Sequence, residues 1–246
     1  MESGSLDILL TMTEQMTNKI LAIIPARGGS KGLPKKNILD LLSKPLIVWS
    51  IDAALNSKYI TKTLVSSDND EILSISKKYG SSTIKRPDIL ATDTASSESA
   101  VLDALKKLKE DSEEYDYLIL LQPTSPLRDA KDIDEAFEIF FNSDATALIS
   151  VCETDNKILK AFKKNDSGYI DGISNNDYPF ARRQDLPKTY MSNGAIYIIK
   201  VDEFLKSEKL FTDKTISYVM SDEKSIDVDT KEDFESIETI LKVKNA

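Results

Sequence analysis

Ile20-Leu21-Ala22-Ile23-Ile24-Pro25-Ala26-Arg27-Gly28-Gly29-Ser30-Lys31-Gly32-Leu33-Pro34-Lys35-Lys36-Asn37 is the stretch from which the fold can be read. Its apolar start, Ile20 to Ile24, is a short continuous run of the kind a buried strand shows. The run opens into a loop with three glycines, a serine and the cations Arg27, Lys31, Lys35 and Lys36. Gly28 and Gly29 allow positive φ and close approach of a ligand to the backbone. Successive amides in such a loop form an anion-binding concavity. The combination reads as a nucleoside triphosphate site. The spacing matches neither Gly-x-x-x-x-Gly-Lys-Ser/Thr nor Gly-x-Gly-x-x-Gly.

Outward from that loop, strands and helices alternate. Ser43 is a plausible helix cap with Pro45 in the first turn, and the helix runs through Trp49, Ile51, Ala54 and Leu55. Thr63 to Ser67 and Ser82 to Lys85 read as strands with a helix between them. Ser96 to Leu108 presents Val101, Leu102, Leu105 and Leu108 on one helical face. Tyr117 to Leu121 is a continuous apolar strand, as in a parallel sheet covered on both faces. Asp132 to Phe141 reads as helix and Ala145 to Val151 as strand. This alternation predicts an α/β fold with an open, mostly parallel sheet and ligands beyond the carboxyl ends of its strands. The pattern breaks between about residues 153 and 192, a polar, Gly- and Pro-punctuated stretch with Tyr169, Tyr178, Phe180 and Tyr190, read as an inserted arm. Ala195 to Ile199 resumes the pattern, and a helix from about Lys231 ends it. Residues 1–18 read as an extension, not a signal peptide, ahead of one domain over 19–246.

Composition narrows the chemistry. A formal net charge of −9 argues against nucleic acid and against anionic membrane surfaces, so the cations near residue 30 are a local exception. The chain has no histidine and a single cysteine, Cys152. Catalysis therefore falls to carboxylates, lysine, arginine, hydroxyls or a metal held by oxygen. No stretch reaches the ~20 apolar residues of a membrane-spanning helix. A cytoplasmic location is expected.

Asp227 and Asp229, in Ser225-Ile226-Asp227-Val228-Asp229-Thr230, stand at i and i+2, on one side of an extended segment. Adjacent carboxylates repel unless a cation lies between them. Mg²⁺ accepts such a pair together with substrate phosphates. Locally, one aspartate capping the last helix and the other solvated is an equally good reading.

Taken in order, the Ala26–Asn37 loop, Arg86-Pro87, Asp93-Thr94-Ala95-Ser96-Ser97, Gln122-Pro123-Thr124-Ser125-Pro126, Arg183-Gln184, Asn193-Gly194-Ala195-Ile196-Tyr197 and Ile226–Thr230 resemble the acylneuraminate cytidylyltransferases from Ile20 to about Leu241. The resemblance implies a three-layer nucleotidyltransferase fold, a homodimer built on the 153–192 arm, Mg²⁺ dependence, and transfer of CMP from CTP to a nonulosonic acid. By the same resemblance Arg27, Gly28, Gly29, Ser30, Lys31, Lys36 and Asn37 hold CTP, and Arg86 and Ser97 complete its pocket. Gln122 and Asn193 face the sugar, Arg183 its carboxylate, and Asp227 and Asp229 the metal. Tyr197 and Phe211 would reach the sugar pocket of the neighbouring subunit. Arg27, Lys36, Asp227 and Asp229 are the expected catalytic set, with Asp229 named first as the proton acceptor. A Kdo-type cytidylyltransferase and a non-catalytic nucleotide-binding protein are the alternatives.

Overall fold

Alternate side chains of the first strand, β1 (Ile20–Pro25), enter two different cores, and this divides the molecule into three layers. The structure is a computed structural model that describes residues 18–30 and 32–244. Lys31 and nearly all of the 1–18 extension lie outside the described residues. Ile20, Ala22 and Ile24 pack with α1 (Leu46–Leu55) and α4 (Ala130–Phe141). Leu21 and Ile23 pack on the opposite face with α3 (Ser97–Glu110) and α5 (Val201–Ser207). Every β1 side chain through Ile24 is at most 1% exposed. A strand covered on both faces has no polar side, which is why its sequence shows no alternation.

The central sheet also contains β4 (Lys62–Ser67), β5 (Ser82–Lys85), β6 (Tyr117–Leu120), β7 (Ala147–Thr154), β10 (Thr189–Lys200) and β11 (Thr215–Met220). Its order is β11-β7-β10-β6-β1-β4-β5. The β1–β4, β1–β6, β4–β5 and β7–β11 pairs are parallel, as the alternation predicts. β10 runs antiparallel to both β6 and β7. The chain leaves β1 toward β4 and returns to its other side as β6, which creates a switch point beyond the carboxyl end of β1.

The expected first-helix cap is displaced. Ser43 sits in the turn between two short strands, β2 (Asp40–Leu41) and β3 (Lys44–Pro45), and α1 begins at Leu46 with Pro45 in the cap position. Leu42, at φ 61°, supplies the tight reversal that reserves this segment for a hairpin.

The 153–192 segment starts and ends as an extension of the sheet. Thr154, Glu153, Cys152 and Val151 pair with Thr189, Tyr190, Met191 and Ser192. Between them lies a small hairpin, β8 (Phe162–Lys164) with β9 (Ile170–Gly172), flanked by single helical turns. Tyr169 and Phe180 are 75% and 82% exposed, so the arm leaves these two aromatics uncovered in the single chain. Among the described residues no helix is long and apolar enough to cross a membrane.

Candidate active site

The loops after β1, β5 and β6 meet beyond the carboxyl ends of their strands and, with the segment that carries Asp227 and Asp229, enclose a cleft of about 320 Å³. Arg27 leaves β1 into this cleft and pairs with Asp93 at 2.7 Å. The Gly28 amide donates to Asp68 at 2.9 Å, and the Asn37 amide donates to the Arg27 carbonyl at 2.9 Å, folding the loop back on itself. Neither Gly28 nor Gly29 takes the positive φ expected of it. Gly28 serves by close approach instead, since a Cβ there would stand 2.9 Å from Asn69 Cβ. Gly32 lets the loop pass the carboxylate segment, where a Cβ would lie 2.5 Å from the Asp229 carbonyl oxygen.

Lys36 joins the two segments. Its Nζ donates to the Val228 carbonyl at 2.5 Å and to Asp229 Oδ1 at 3.1 Å, and its side chain is only 13% exposed. Val228 is fixed from below: it packs with Leu41, Leu46, Leu127, Ile237 and Leu241, the last two from α6 (Lys231–Lys244). The buried Val228 thus leaves Asp227 and Asp229 on the cleft side, as their spacing predicts, although the segment is irregular and not a strand. Burial pushes the Asp227 carboxyl up; the Thr124 side chain opposes this and the Asp229 charge adds to it. One Asp227 oxygen, Oδ1, is buried with no hydrogen-bond partner among the described residues. A buried carboxylate oxygen beside a second carboxylate is a donor set that suits a hard cation. Among the described residues no group of three or more His, Cys, Asp or Glu could hold a metal, so further ligands would come from substrate oxygens, water or neutral protein oxygens.

Arg86 lines the cleft at 5% exposure. Burial lowers its pKa, Asp68 and Asp103 counter this, and Arg27 adds to the lowering. Ser97, the first residue of α3, faces the same space. Gln122 and Ser97 also border a second hollow of about 340 Å³ lined by Leu120, Tyr197, Leu210 and Phe211. The two spaces therefore share a wall.

Arg27, Gly29, Ser30, Lys36, Asn37, Arg86, Ser97, Gln122, Asp227 and Asp229 are brought to one cleft. Lys31 lies outside the described residues. Lys35, at φ 56°, turns away to Glu71 at 3.2 Å. Tyr197 and Phe211, expected at a neighbour's pocket, border the hollow of their own chain. Arg183 is elsewhere, in a hollow of the arm beside Asp155 at 3.4 Å. Asn193 lines neither space: it accepts from Ser150 Oγ at 2.6 Å and donates to Ser225 Oγ at 2.9 Å, tying β10 to the approach of the carboxylate segment. Asp93, Thr124 and Arg128 were not assigned individual site roles from sequence. Nothing in the string marks Arg128 as buried.

A profile of the cytidylyltransferase family matches residues 21–245. The chain is similar to an N-acylneuraminate cytidylyltransferase from Escherichia coli O18:K1:H7, 36% identical over 94% of this chain and 54% of that protein. It is similar to a pseudaminic acid cytidylyltransferase from Campylobacter jejuni, 35% identical over 92% of this chain and 97% of that one. The chain thus spans about half the length of the first relative, at 54%, and nearly all of the second, at 97%. Its fold is similar to that of a CMP:2-keto-3-deoxy-manno-octonic acid synthetase complexed with CTP, with a TM-score of 0.71 at 17% identity over 92% of this chain and 99% of that one. A 4-diphosphocytidyl-2C-methyl-D-erythritol synthase from Anaerococcus prevotii shares the fold at a TM-score of 0.62 and 16% identity, over 92% of this chain and 96% of that one.

Proposed function

We propose that this chain, which belongs to the cytidylyltransferase family, transfers CMP from CTP to the anomeric hydroxyl of a nonulosonic acid, releasing pyrophosphate. The observation that carries this reading is the shared wall: Gln122 and Ser97 border both a cleft lined by cations and paired carboxylates and a second, largely apolar hollow. Two adjoining spaces of this kind suit a nucleotide and a sugar acid meeting at one phosphorus.

Arg27, Lys36 and Arg86 supply the positive charge that a triphosphate needs inside an acidic protein. The acceptor oxygen forms its bond to the α-phosphorus as the bond to the pyrophosphate oxygen breaks. Lys36 and the amides of the glycine loop then hold the charge that gathers on pyrophosphate. Asp229 takes the acceptor's proton. Asp227 and Asp229 would hold Mg²⁺, which when bound neutralises phosphate charge and orients the phosphates. The arm, with its exposed Tyr169 and Phe180, pairs with a second copy of the chain. Consumption of CTP makes the cytoplasm its compartment.

The test is pyrophosphate release with CTP and Mg²⁺ against a panel of sialic, legionaminic and pseudaminic acids, with Kdo as the competing acceptor. Turnover with at least one nonulosonic acid, above that with Kdo, is expected. Tight CTP binding without release on any acid would favour a non-catalytic nucleotide-binding protein.

A further inference from the structure

Arg128 is the bulkiest of the fully buried side chains, at 1% exposure. A guanidinium there gives up its hydration and regains little of it. Asp132 and Asp129 partly offset the burial. Both carboxylates, however, are already engaged by Lys224 Nζ, at 2.7 and 2.9 Å. Its Nε and Nη1 have no hydrogen-bond partner among the described residues. An apolar side chain of similar volume is often at least as stable in such a place, so stability is a weak reason for an arginine here.

The contacts it does make are specific. Nη2 donates to Ser50 Oγ at 2.8 Å and to the Gln122 carbonyl at 3.3 Å. Ser50 Oγ donates to that same carbonyl at 3.2 Å. The other end of Gln122 is confined by Gly194, at φ 74°, where a Cβ would lie 2.7 Å from Gln122 Oε1. Gln122 is therefore held at its carbonyl and limited at its amide, and it stands in the wall between the two spaces.

We infer that Arg128, acting together with Ser50, is a positioning residue that sets the Gln122 amide toward the acceptor, so that it governs use of the sugar acid and not binding of CTP. This rests on the proposed cytidylyl transfer. A small misplacement of a group that orients a reactant lowers rate by up to about 100-fold. Both contacts come from the single nitrogen Nη2, which a lysine would have to replace with an ammonium set at the same point by a differently shaped stem.

The experiment measures pyrophosphate release with each substrate varied, for wild type, Ser50→Ala, Arg128→Lys, Gln122→Ala and the Ser50→Ala, Gln122→Ala double variant. Ser50→Ala is the mild variant that keeps the test decisive should Arg128→Lys fail to fold. Expected is a fall in kcat/KM for the acceptor of about 10-fold or more in the first two variants, with the KM for CTP within about twofold of wild type. The double variant should be no worse than Gln122→Ala alone, because both changes remove one function. Folded Ser50→Ala with an unchanged acceptor kcat/KM overturns the inference, as do additive losses or equal losses for both substrates. A wild-type chain with no turnover on any nonulosonic acid overturns the functional reading, and this inference with it.

Discussion

Lys36→Met separates a structural tie from a phosphate contact. Methionine keeps the apolar stem and removes the charge. In the structure the Lys36 ammonium holds the Val228 carbonyl at 2.5 Å and Asp229 Oδ1 at 3.1 Å. Asp229 has a side chain 75% exposed, so that ion pair is worth under about 1 kcal/mol after solvent screening. The bond to the carbonyl is charge-assisted and contributes about 1.5–3 kcal/mol. A loss of about 2 kcal/mol in a chain of this size lowers Tm by about 4–8 °C, which leaves the protein folded at 25 °C. If Lys36 also holds the departing pyrophosphate, a second charge-assisted contact is lost, worth a further ~10- to 150-fold in kcat/KM. The paired assays are thermal unfolding and steady-state pyrophosphate release on the same preparation. A folded variant with the expected Tm change but kcat/KM within about threefold of wild type would show that Lys36 only ties the loop to the carboxylate segment.

Asp229→Asn should abolish most turnover while CTP still binds, and near-normal kcat at saturating Mg²⁺ would remove the metal assignment. Arg27→Ala should lower kcat/KM for CTP by about 10- to 150-fold, measured by varying CTP at fixed acceptor; a change below about threefold would mean that its pairing with Asp93 is its whole role. Phe180→Ser, at an 82% exposed arm position, should shift a dimer toward monomer in light scattering, whereas a wild-type chain that is monomeric and fully active at assay concentration would contradict the arm's pairing. For Asp129, burial pushes the carboxyl up, but Lys224 and the Asp132 amide outweigh it and the net shift is downward. A depressed folded value contributes stability above the unfolded value of about 3.9 that is lost as pH falls through the folded value. Lys224→Met should therefore make acid unfolding begin at higher pH than in wild type, and coincident acid transitions would refute the linkage.

The parts of the fold that sequence reveals are those governed by local pattern. β1, β6 and the helices between them bury whole faces, so hydrophobic period marks them directly. The cleft was legible in part for a related reason: Arg27, Lys36 and the two aspartates are charged residues next to turns, where burial alone gives no reason for them, whereas Arg86 was carried by resemblance. What pattern does not encode is pairing across distance. β10 reads like any apolar strand, yet it lies antiparallel between β6 and β7 because the arm returns along β7. Ser43 looked like a helix cap because nothing local announces that Asp40–Leu41 pairs with Lys44–Pro45. Arg128 looked like one more polar residue of a loop, since burial of a cation depends on Ser50, 78 residues away in the chain. Arg183 and Asn193 were carried by resemblance alone, and in the single chain they stand apart from the cleft.

Mass spectrometry of the nucleotide product shows whether the chain joins CMP to a sugar acid. The purified chain is incubated with CTP, Mg²⁺ and one nonulosonic acid at a time, and the reaction is examined for a CMP-linked sugar acid formed in step with pyrophosphate. A CMP adduct of at least one nonulosonic acid is expected, equimolar with pyrophosphate and absent when either substrate is left out. A chain that binds CTP yet yields no such adduct, or that forms a cytidylyl product only with Kdo, would contradict this function.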